Sequence, residues 1–222
     1  MSNAFPYEIS EHEIYRYLGY RGQIPDQVVL ERIRVCLRQL QEQVHPQAIW
    51  KYYDIQWIDT ASFNVEGSVI HSRQLSKNIN GCKEICLFAA TLGPEPDRLI
   101  QKAEISAISD AVLFQAISAA MIESYCNAMN QRIREEMSAQ GKYLRPRFSP
   151  GYGDFALDYQ RMIGQFLQMS KTIGITLTDS LLMMPSKSVT AVIGISEENN
   201  QCTMEGCEVC NRSDSCLYQR IK

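Results

Sequence analysis

The chain has 222 residues, of which 45% are hydrophobic and 21% charged, and its formal net charge is −3. These values are typical of a globular protein that buries a full core without disulfides, and the even spread of lysine and arginine argues against a general nucleic-acid-binding protein. No run of about 18 apolar residues occurs, so we expect no membrane-spanning helix. The glutamate-rich start "MSNAFPYEISEHEIY" argues against a signal peptide, and we expect a cytoplasmic protein.

Two helices are predicted at the start of the chain. The stretch "SEHE" is typical of a capping box, in which Ser10 caps a short helix, Glu13 reaches back to it, and the helix ends near Gly19. Asp26 is the predicted N-cap of a second helix, because apolar residues follow it at helical spacing as far as Pro46.

Strands are predicted in the next segment. The runs 49–58 and 63–71 are rich in aromatic and β-branched residues, and we expect them to pair as a meander. Residues 72–81 predict one or two helical turns, and the apolar run 84–92 predicts a central strand.

Two further helices are predicted in the second half of the chain. Residues 95–140 predict a long helix that breaks near Ser106, and its middle is rich in alanine, which lets another backbone approach closely. Asp158 is the predicted start of a helix that runs through Met169.

The last strands complete the predicted fold. Residues 180–196 predict two strands joined at Pro185–Ser186, and alternation in the second strand predicts that one of its faces is buried. The residues on that face are Val189, Ala191, Ile193 and Ile195. Because helices and antiparallel-looking strands alternate without a regular βαβ repeat, we predict an α+β fold with an antiparallel sheet. We expect one main domain over residues 1–198 and a cysteine-rich tail over residues 199–222.

The loop "RFSPGYGDF", which lies between two predicted helices, combines a cation, a fixed bend and an aromatic ring. Pro150 fixes φ and Gly151 allows conformations that other residues avoid, so the bend can hold its neighbours at fixed angles. Arg147 offers a planar fork of donors for a carboxylate or phosphate, and Tyr152 offers an aromatic face. These residues suit an anionic, partly aromatic small molecule. The alternative is a tight loop whose arginine forms an ordinary salt bridge.

Glu123 lies in the alanine-rich, apolar part of the long predicted helix. Burying an unpaired carboxylate costs several kcal/mol. Glu123 therefore either lies at a solvated edge or has a cationic partner, which could be Arg147 or the ammonium group of a ligand.

The cysteines fall into two groups. Four lie scattered in apolar stretches and are predicted to be small core residues: Cys36, Cys82, Cys86 and Cys126. Four others crowd into the tail, where their thiolates could hold zinc or an iron–sulfur cluster: Cys202, Cys207, Cys210 and Cys216. The alternative is a tail of free thiols, since disulfides are disfavoured in the cytoplasm.

Several separated motifs resemble the activation domain of cobalamin-dependent methionine synthase. They are an Arg-x-x-Pro-Gly-Tyr loop, a helix, a segment with threonine, glycine, leucine and serine, and a Met-x-Pro-x-x-Ser-Val strand pair. They stand here at Arg147, Pro150, Gly151 and Tyr152, at Thr172, Gly174, Leu177, Thr178 and Ser180, and at Met183, Pro185, Ser188 and Val189. Glu123 and "QRIRE" stand at the family's spacing before the loop. The resemblance covers about residues 110–196, and residues 5–109 fit in length and order.

The resemblance implies a domain that binds S-adenosylmethionine and presents it to cob(II)alamin, with an electron from a flavodoxin- or ferredoxin-type donor. It implies that Arg147 holds the carboxylate of S-adenosylmethionine and that Glu123 faces its positive end. It also implies that the backbone around Ser149 and Gly151 contacts the ligand and that Tyr152 lines the pocket. A zwitterionic amino acid with a sulfonium suits one guanidinium and one carboxylate.

The sequence shows no homocysteine, folate or corrinoid module, so we expect an accessory component rather than a complete enzyme. Its partner would be a corrinoid methionine synthase that lacks its own activation domain.

The need for an electron favours an iron–sulfur cluster in the tail, whereas zinc is the commoner structural metal. Two alternatives are a non-catalytic regulatory or scaffolding module with a metal knuckle and a reactivator of another corrinoid methyltransferase. The family's tyrosine-bearing segment after the last strand has no clear match, and "EENNQCTMEGCEVC" stands in its place.

Overall fold

The computed structural model describes Phe5 and residues 7–199. The helices of this part of the chain are α1 (Glu11–Tyr17), α2 (Gln27–Gln43), α3 (Arg73–Asn78), α4 (Glu95–Ser106), α5 (Ile108–Ser138), α6 (Tyr159–Leu167) and α7 (Met169–Thr172). The strands are β1 (Gln47–Asp54), β2 (Gln56–Asp59), β3 (Ser62–Val65), β4 (Ser68–His71), β5 (Glu84–Thr91), β6 (Tyr143–Leu144), β7 (Thr176–Leu177), β8 (Met183–Met184) and β9 (Ser188–Ser196). Among these helices, none has both the length and the hydropathy needed to span a bilayer.

A four-stranded antiparallel sheet in the order β1-β5-β9-β6 lies at the centre of the fold. The two inner strands, β5 and β9, pair along their whole length. The prediction of an α+β fold with an antiparallel sheet is confirmed.

Two hydrophobic cores cover the two faces of this sheet. The first core lies under α1, α2, α4 and α5, and the second lies under α3, α6, α7 and the three-stranded sheet β2-β3-β4. The predicted face of β9 is buried, and the structure shows that its opposite face is buried as well. Ala191 and Ile193 pack in the first core, whereas Val192, between them, is equally buried in the second.

Strand pairing also differs from the sequence prediction. The run 49–58 divides at Ile55, so that β1 joins β5 in the central sheet while β2, β3 and β4 form a separate meander. The two strands predicted on either side of Pro185–Ser186 are both present, and β8 pairs with β7 whereas β9 pairs with β5. The local sequence indicates which residues form strands, whereas packing against distant segments selects the partner of each strand.

The first two helices begin at the predicted caps. The hydroxyl of Ser10 accepts a hydrogen bond from the amide of Glu13, and the carboxylate of Asp26 accepts one from the amide of Val29. The carboxylate of Glu13 pairs with Arg16 in the same helix.

The later helices follow the predicted breaks closely. Ala107 separates α4 from α5, next to the predicted break at Ser106. The helix predicted to run through Met169 ends at Leu167, because Gln168 adopts a left-handed φ of 51°.

The four scattered cysteines are buried and free, as predicted, and all belong to the two cores. The four tail cysteines lie outside the described residues: Cys202, Cys207, Cys210 and Cys216. Within the described part, no group of three or more histidine, cysteine, aspartate or glutamate side chains could hold a metal ion. The metal centre and the boundary between residues 198 and 199 therefore stay predictions.

Candidate functional site

The segment that carries Arg147 extends β6 along β9. Arg145 donates its amide to the carbonyl of Gly194 at 2.8 Å. Farther along, Phe148 and Val192 exchange two backbone hydrogen bonds of 2.9 and 2.8 Å. The predicted loop is therefore attached to a central strand of the main sheet.

A β-bulge in this extension directs Arg147 towards α5. Pro146 and Arg147 both lie between the two hydrogen-bonded pairs, whereas β9 has only Ile193 there. The extra residue changes the alternation of side chains, so that Arg147 lies on the α5 side of the sheet while Phe148 packs against the second core. Proline lacks the amide that a regular ladder uses, so Pro146 is suited to the bulge.

Arg147 contacts two residues of α5. Its Nη2 lies 3.4 Å from Oε2 of Glu123 and donates to Oδ1 of Asn127 at 2.9 Å. Glu123 and Asn127 are about one helical turn apart, so their side chains project from the same face. The side chains of Arg147 and Glu123 are 19% and 35% exposed, so the ion pair is only partly accessible to water. Two partners are predicted for Glu123, namely Arg147 and the ammonium group of a ligand, and in the structure Glu123 contacts Arg147.

Arg147 also carries a donor that no described residue uses. Its Nη1 is buried and has no hydrogen-bond partner within the described part of the chain. Buried donors are rarely left unpaired, and a guanidinium presents its donors as a fork that matches the two oxygens of a carboxylate. A bound anion would satisfy this nitrogen.

The N-terminal segment packs against the same stretch of α5. Ser124 donates its hydroxyl to the carbonyl of Glu8. The ring centroids of Tyr7 and Tyr125 lie 5.3 Å apart. This segment therefore packs against the residues of α5 that immediately follow Glu123.

Tyr17 of α1 packs, partly buried, against the first core and is close enough to Glu123 to be affected by its charge. Burial raises the pKa of its phenol and the negative charge of Glu123 raises that pKa further, whereas the nearby guanidinium of Arg16 lowers it. Neither Tyr17 nor Asn127 is among the residues predicted from the sequence. No local sequence pattern marks either residue, because Asn127 meets Arg147, and Tyr17 comes near Glu123, only through the packing of distant segments.

The bend after the bulge is held by its own backbone. The amide of Gly151 donates to the carbonyl of Phe155 at 2.7 Å, and the amide of Tyr152 donates to the carbonyl of Ser149 at 3.2 Å. Gly151 has a φ of +91°, which other residues rarely adopt. Phe155 is fully buried in the second core and anchors the bend. Tyr152, in contrast, is 61% exposed.

Asp154 attaches the bend to α3. Its carboxylate accepts hydrogen bonds from the hydroxyl of Ser72 and from the amides of Arg73 and Gln74, the latter two at 2.9 and 3.1 Å. Burial alone would raise the pKa of Asp154, but the hydrogen bonds outweigh burial and hold that pKa below its usual value. Gly153 suits this junction, since a Cβ there would collide with the side chain of Gln74.

A separate cavity of about 300 Å³ lies between α6, α7 and β7. Arg161, Met169, Ile175 and Thr176 are among the residues that line it. None of the predicted site residues does, so this cavity is distinct from the site beside α5.

Comparison with known proteins identifies one family and one fold. Residues 75–209 match the family described as vitamin B12 dependent methionine synthase, activation domain, which is more than half of the chain. The fold is similar to the crystal structure of the MetH reactivation domain bound to AdoHcy, with a TM-score of 0.60 and 17% sequence identity over 87% of this chain and 80% of that chain. No curated protein matches the sequence.

Proposed function

Because this chain belongs to the activation-domain family of vitamin B12 dependent methionine synthase, we propose that it binds S-adenosylmethionine and supports the reductive methylation of cobalamin. The proposal rests above all on the contact between Arg147 and Glu123, together with the buried Nη1 of Arg147 that has no partner among the described residues. The similar MetH domain is bound to AdoHcy, the molecule that remains when S-adenosylmethionine loses its methyl group.

The amino-acid end of the ligand would use this ion pair. The carboxylate of the ligand would accept from Nη1 of Arg147, and its ammonium group would face Glu123. The distance of 3.4 Å between Nη2 and Oε2 exceeds the roughly 2.7–2.9 Å of a strong charge-assisted hydrogen bond. Glu123 therefore holds Arg147 weakly in the free protein and can turn towards the ligand at little cost.

The bend would contact the rest of the ligand. The backbone at Ser149 and Gly151 lies immediately after Arg147, and the exposed ring of Tyr152 offers a flat wall. Methyl transfer requires reacting atoms about 3–3.5 Å apart, so the site must open towards the corrinoid. The exposure of Tyr152 and the partial exposure of Glu123 agree with an open site.

We propose that the partner is a corrinoid methionine synthase that lacks its own activation domain. Once reduced by one electron, the cobalamin of this partner would accept the methyl group of S-adenosylmethionine, leaving S-adenosylhomocysteine. A flavodoxin- or ferredoxin-type protein would supply the electron. Family membership supports a corrinoid partner of this kind.

The test combines binding with methylation. Titration calorimetry first measures the affinity for S-adenosylmethionine. The protein is then mixed with a synthase lacking its activation domain, in the cob(II)alamin state, together with S-adenosylmethionine and a low-potential electron donor. The visible spectrum should show methylcobalamin only when this protein is present, and far less with Arg147→Ala than with Arg161→Ala, a matched control outside the site.

Each negative result has a distinct meaning. Absence of binding would overturn the ligand assignment. Binding without methylation across several such synthases would overturn reactivation of methionine synthase and favour a regulatory or scaffolding module. If methylcobalamin forms only on another corrinoid methyltransferase, that enzyme is the partner of this protein.

A further inference from the structure

The contacts of Arg147 point to a role for Asn127, which rests on the function proposed above. We propose that Asn127 is a positioning residue that keeps the guanidinium of Arg147 directed at the carboxylate of the ligand. Oδ1 of Asn127 accepts from Nη2 at 2.9 Å, whereas Oε2 of Glu123 lies 3.4 Å from the same nitrogen. The neutral amide therefore holds Arg147 more closely than the carboxylate does.

The two acceptors of Nη2 respond differently to the ligand. Glu123 is the group that the ammonium of S-adenosylmethionine requires, so its contact with Arg147 weakens when the ligand binds. Asn127 has no charge and no equivalent competitor, so it remains on Nη2. Because a guanidinium is planar, fixing Nη2 also fixes the direction of the buried Nη1.

A neutral acceptor is the suitable group at this position. An aspartate would accept from Nη2 more strongly than an asparagine. It would also place a second negative charge one helical turn from Glu123, which is unfavourable on a helix, and it would offset the positive charge that attracts the ligand carboxylate. Asn127 orients the cation without reducing that attraction.

The experiment compares three variants and two classes of ligand. Asn127→Ala removes the acceptor and Asn127→Asp keeps it but adds a charge. Asn130→Ala is the matched control, because Asn130 lies on the same helix and its Oδ1 has no hydrogen-bond partner among the described residues. Calorimetry measures affinity for S-adenosylmethionine and S-adenosylhomocysteine, which carry the carboxylate, and for decarboxylated S-adenosylmethionine and 5′-methylthioadenosine, which do not. Thermal unfolding shows that each variant is folded.

Asn127→Ala should weaken binding of the two carboxylate ligands about three- to tenfold, as expected for loss of one hydrogen bond, and leave the other two unchanged. Asn127→Asp should weaken the carboxylate ligands at least as much. In the Arg147→Ala background, Asn127→Ala should have no additional effect, since positioning acts only through Arg147. Asn130→Ala should bind all four ligands as the wild-type protein does.

A merely structural role for Asn127 gives the opposite pattern. In that case Asn127→Asp would restore binding, and the loss in Asn127→Ala would extend to 5′-methylthioadenosine. Either result, or equal affinity of the wild-type protein and Asn127→Ala for S-adenosylmethionine, would overturn the positioning role and leave the proposed function intact. No binding of S-adenosylmethionine by the wild-type protein would overturn the proposed function, and the role of Asn127 with it.

Discussion

The two sides of the proposed site are built differently. On one side, Glu123 and Asn127 project from α5, a helix of 31 residues that packs in the first core. On the other side, Arg147 and the bend that follows it are held by contacts with β9 and α3. Local hydrogen bonds fix the helical side, whereas distant segments of the chain fix the other. Changes to exposed residues of α5 should therefore alter ligand affinity alone, and changes to the anchors of the bend should alter affinity and stability together.

The largest effect is expected where the two sides meet. Arg147→Ala removes a charge-assisted contact with the ligand worth about 1.5–3 kcal/mol, so the affinity for S-adenosylmethionine should fall about tenfold or more. Calorimetry measures this fall, with Arg161→Ala as the control because Arg161 contacts the carbonyl of Asp179 instead. Equal affinities of the wild-type and Arg147→Ala proteins would remove Arg147 from the site.

The anchor at α3 should show the coupled effect. Asp154→Ala removes hydrogen bonds to Ser72, Arg73 and Gln74, including those at the start of a helix, and should lower the free energy of unfolding by about 1–2 kcal/mol. The affinity for S-adenosylmethionine should fall a few-fold as well, since the bend loses its attachment. Urea unfolding and calorimetry measure the two changes. Asp158→Ala is the control, because Asp158 makes no side-chain capping bond to α6, and equal unfolding midpoints for both variants would contradict the anchor.

A backbone change in the bend should have a smaller effect. Gly151→Ala places a side chain on a residue whose φ is +91° and should cost roughly 1 kcal/mol of stability. Gly174→Ala is a matched control with a φ of +71° outside the bend. Both variants should be destabilised, but only Gly151→Ala should also bind S-adenosylmethionine more weakly. Equal affinities of the two variants for S-adenosylmethionine would show that the bend does not contribute to ligand binding.

The contribution of Asp154 should depend on pH. Its pKa is lowered in the folded protein, so it stabilises the fold above the ordinary carboxyl pKa of about 3.9, and this contribution is lost as the pH falls through the lower, folded value. The stability difference between the wild-type protein and Asp154→Asn should therefore be constant above about pH 5 and shrink as the pH falls below about 4. Urea unfolding midpoints of both proteins across this range measure the stability difference. A difference that grows on acidification would contradict the predicted direction.

The smallest effect on the site is expected from the tail. Anaerobically purified protein should carry either visible absorbance from an iron–sulfur cluster or about one zinc per chain. Replacing Cys202, Cys207, Cys210 and Cys216 by serine should abolish the metal and leave the affinity for S-adenosylmethionine unchanged. Wild-type protein without either metal would leave the free-thiol alternative, and a fall in affinity would connect the tail to the site.

The sequence by itself determined the elements whose cause is local. Ser10 and Asp26 begin helices because their side chains accept amides three residues away. Gly151 permits the bend because glycine, which lacks a Cβ, readily adopts the positive φ of +91° found there. The α+β class and the composition of the loop around Arg147 follow in the same way from nearby residues, and so does the resemblance to the activation-domain family, which the family match confirms.

Only the tertiary structure decided which distant segments meet. It divided the run 49–58 between two sheets and covered both faces of β9. It also placed Asn127 beside Arg147 through a bulge opposite Ile193. Such contacts depend on the register of β9 and on the packing of α5 across it. Both are set by burial of apolar side chains far apart in the chain, and no short stretch of sequence encodes them.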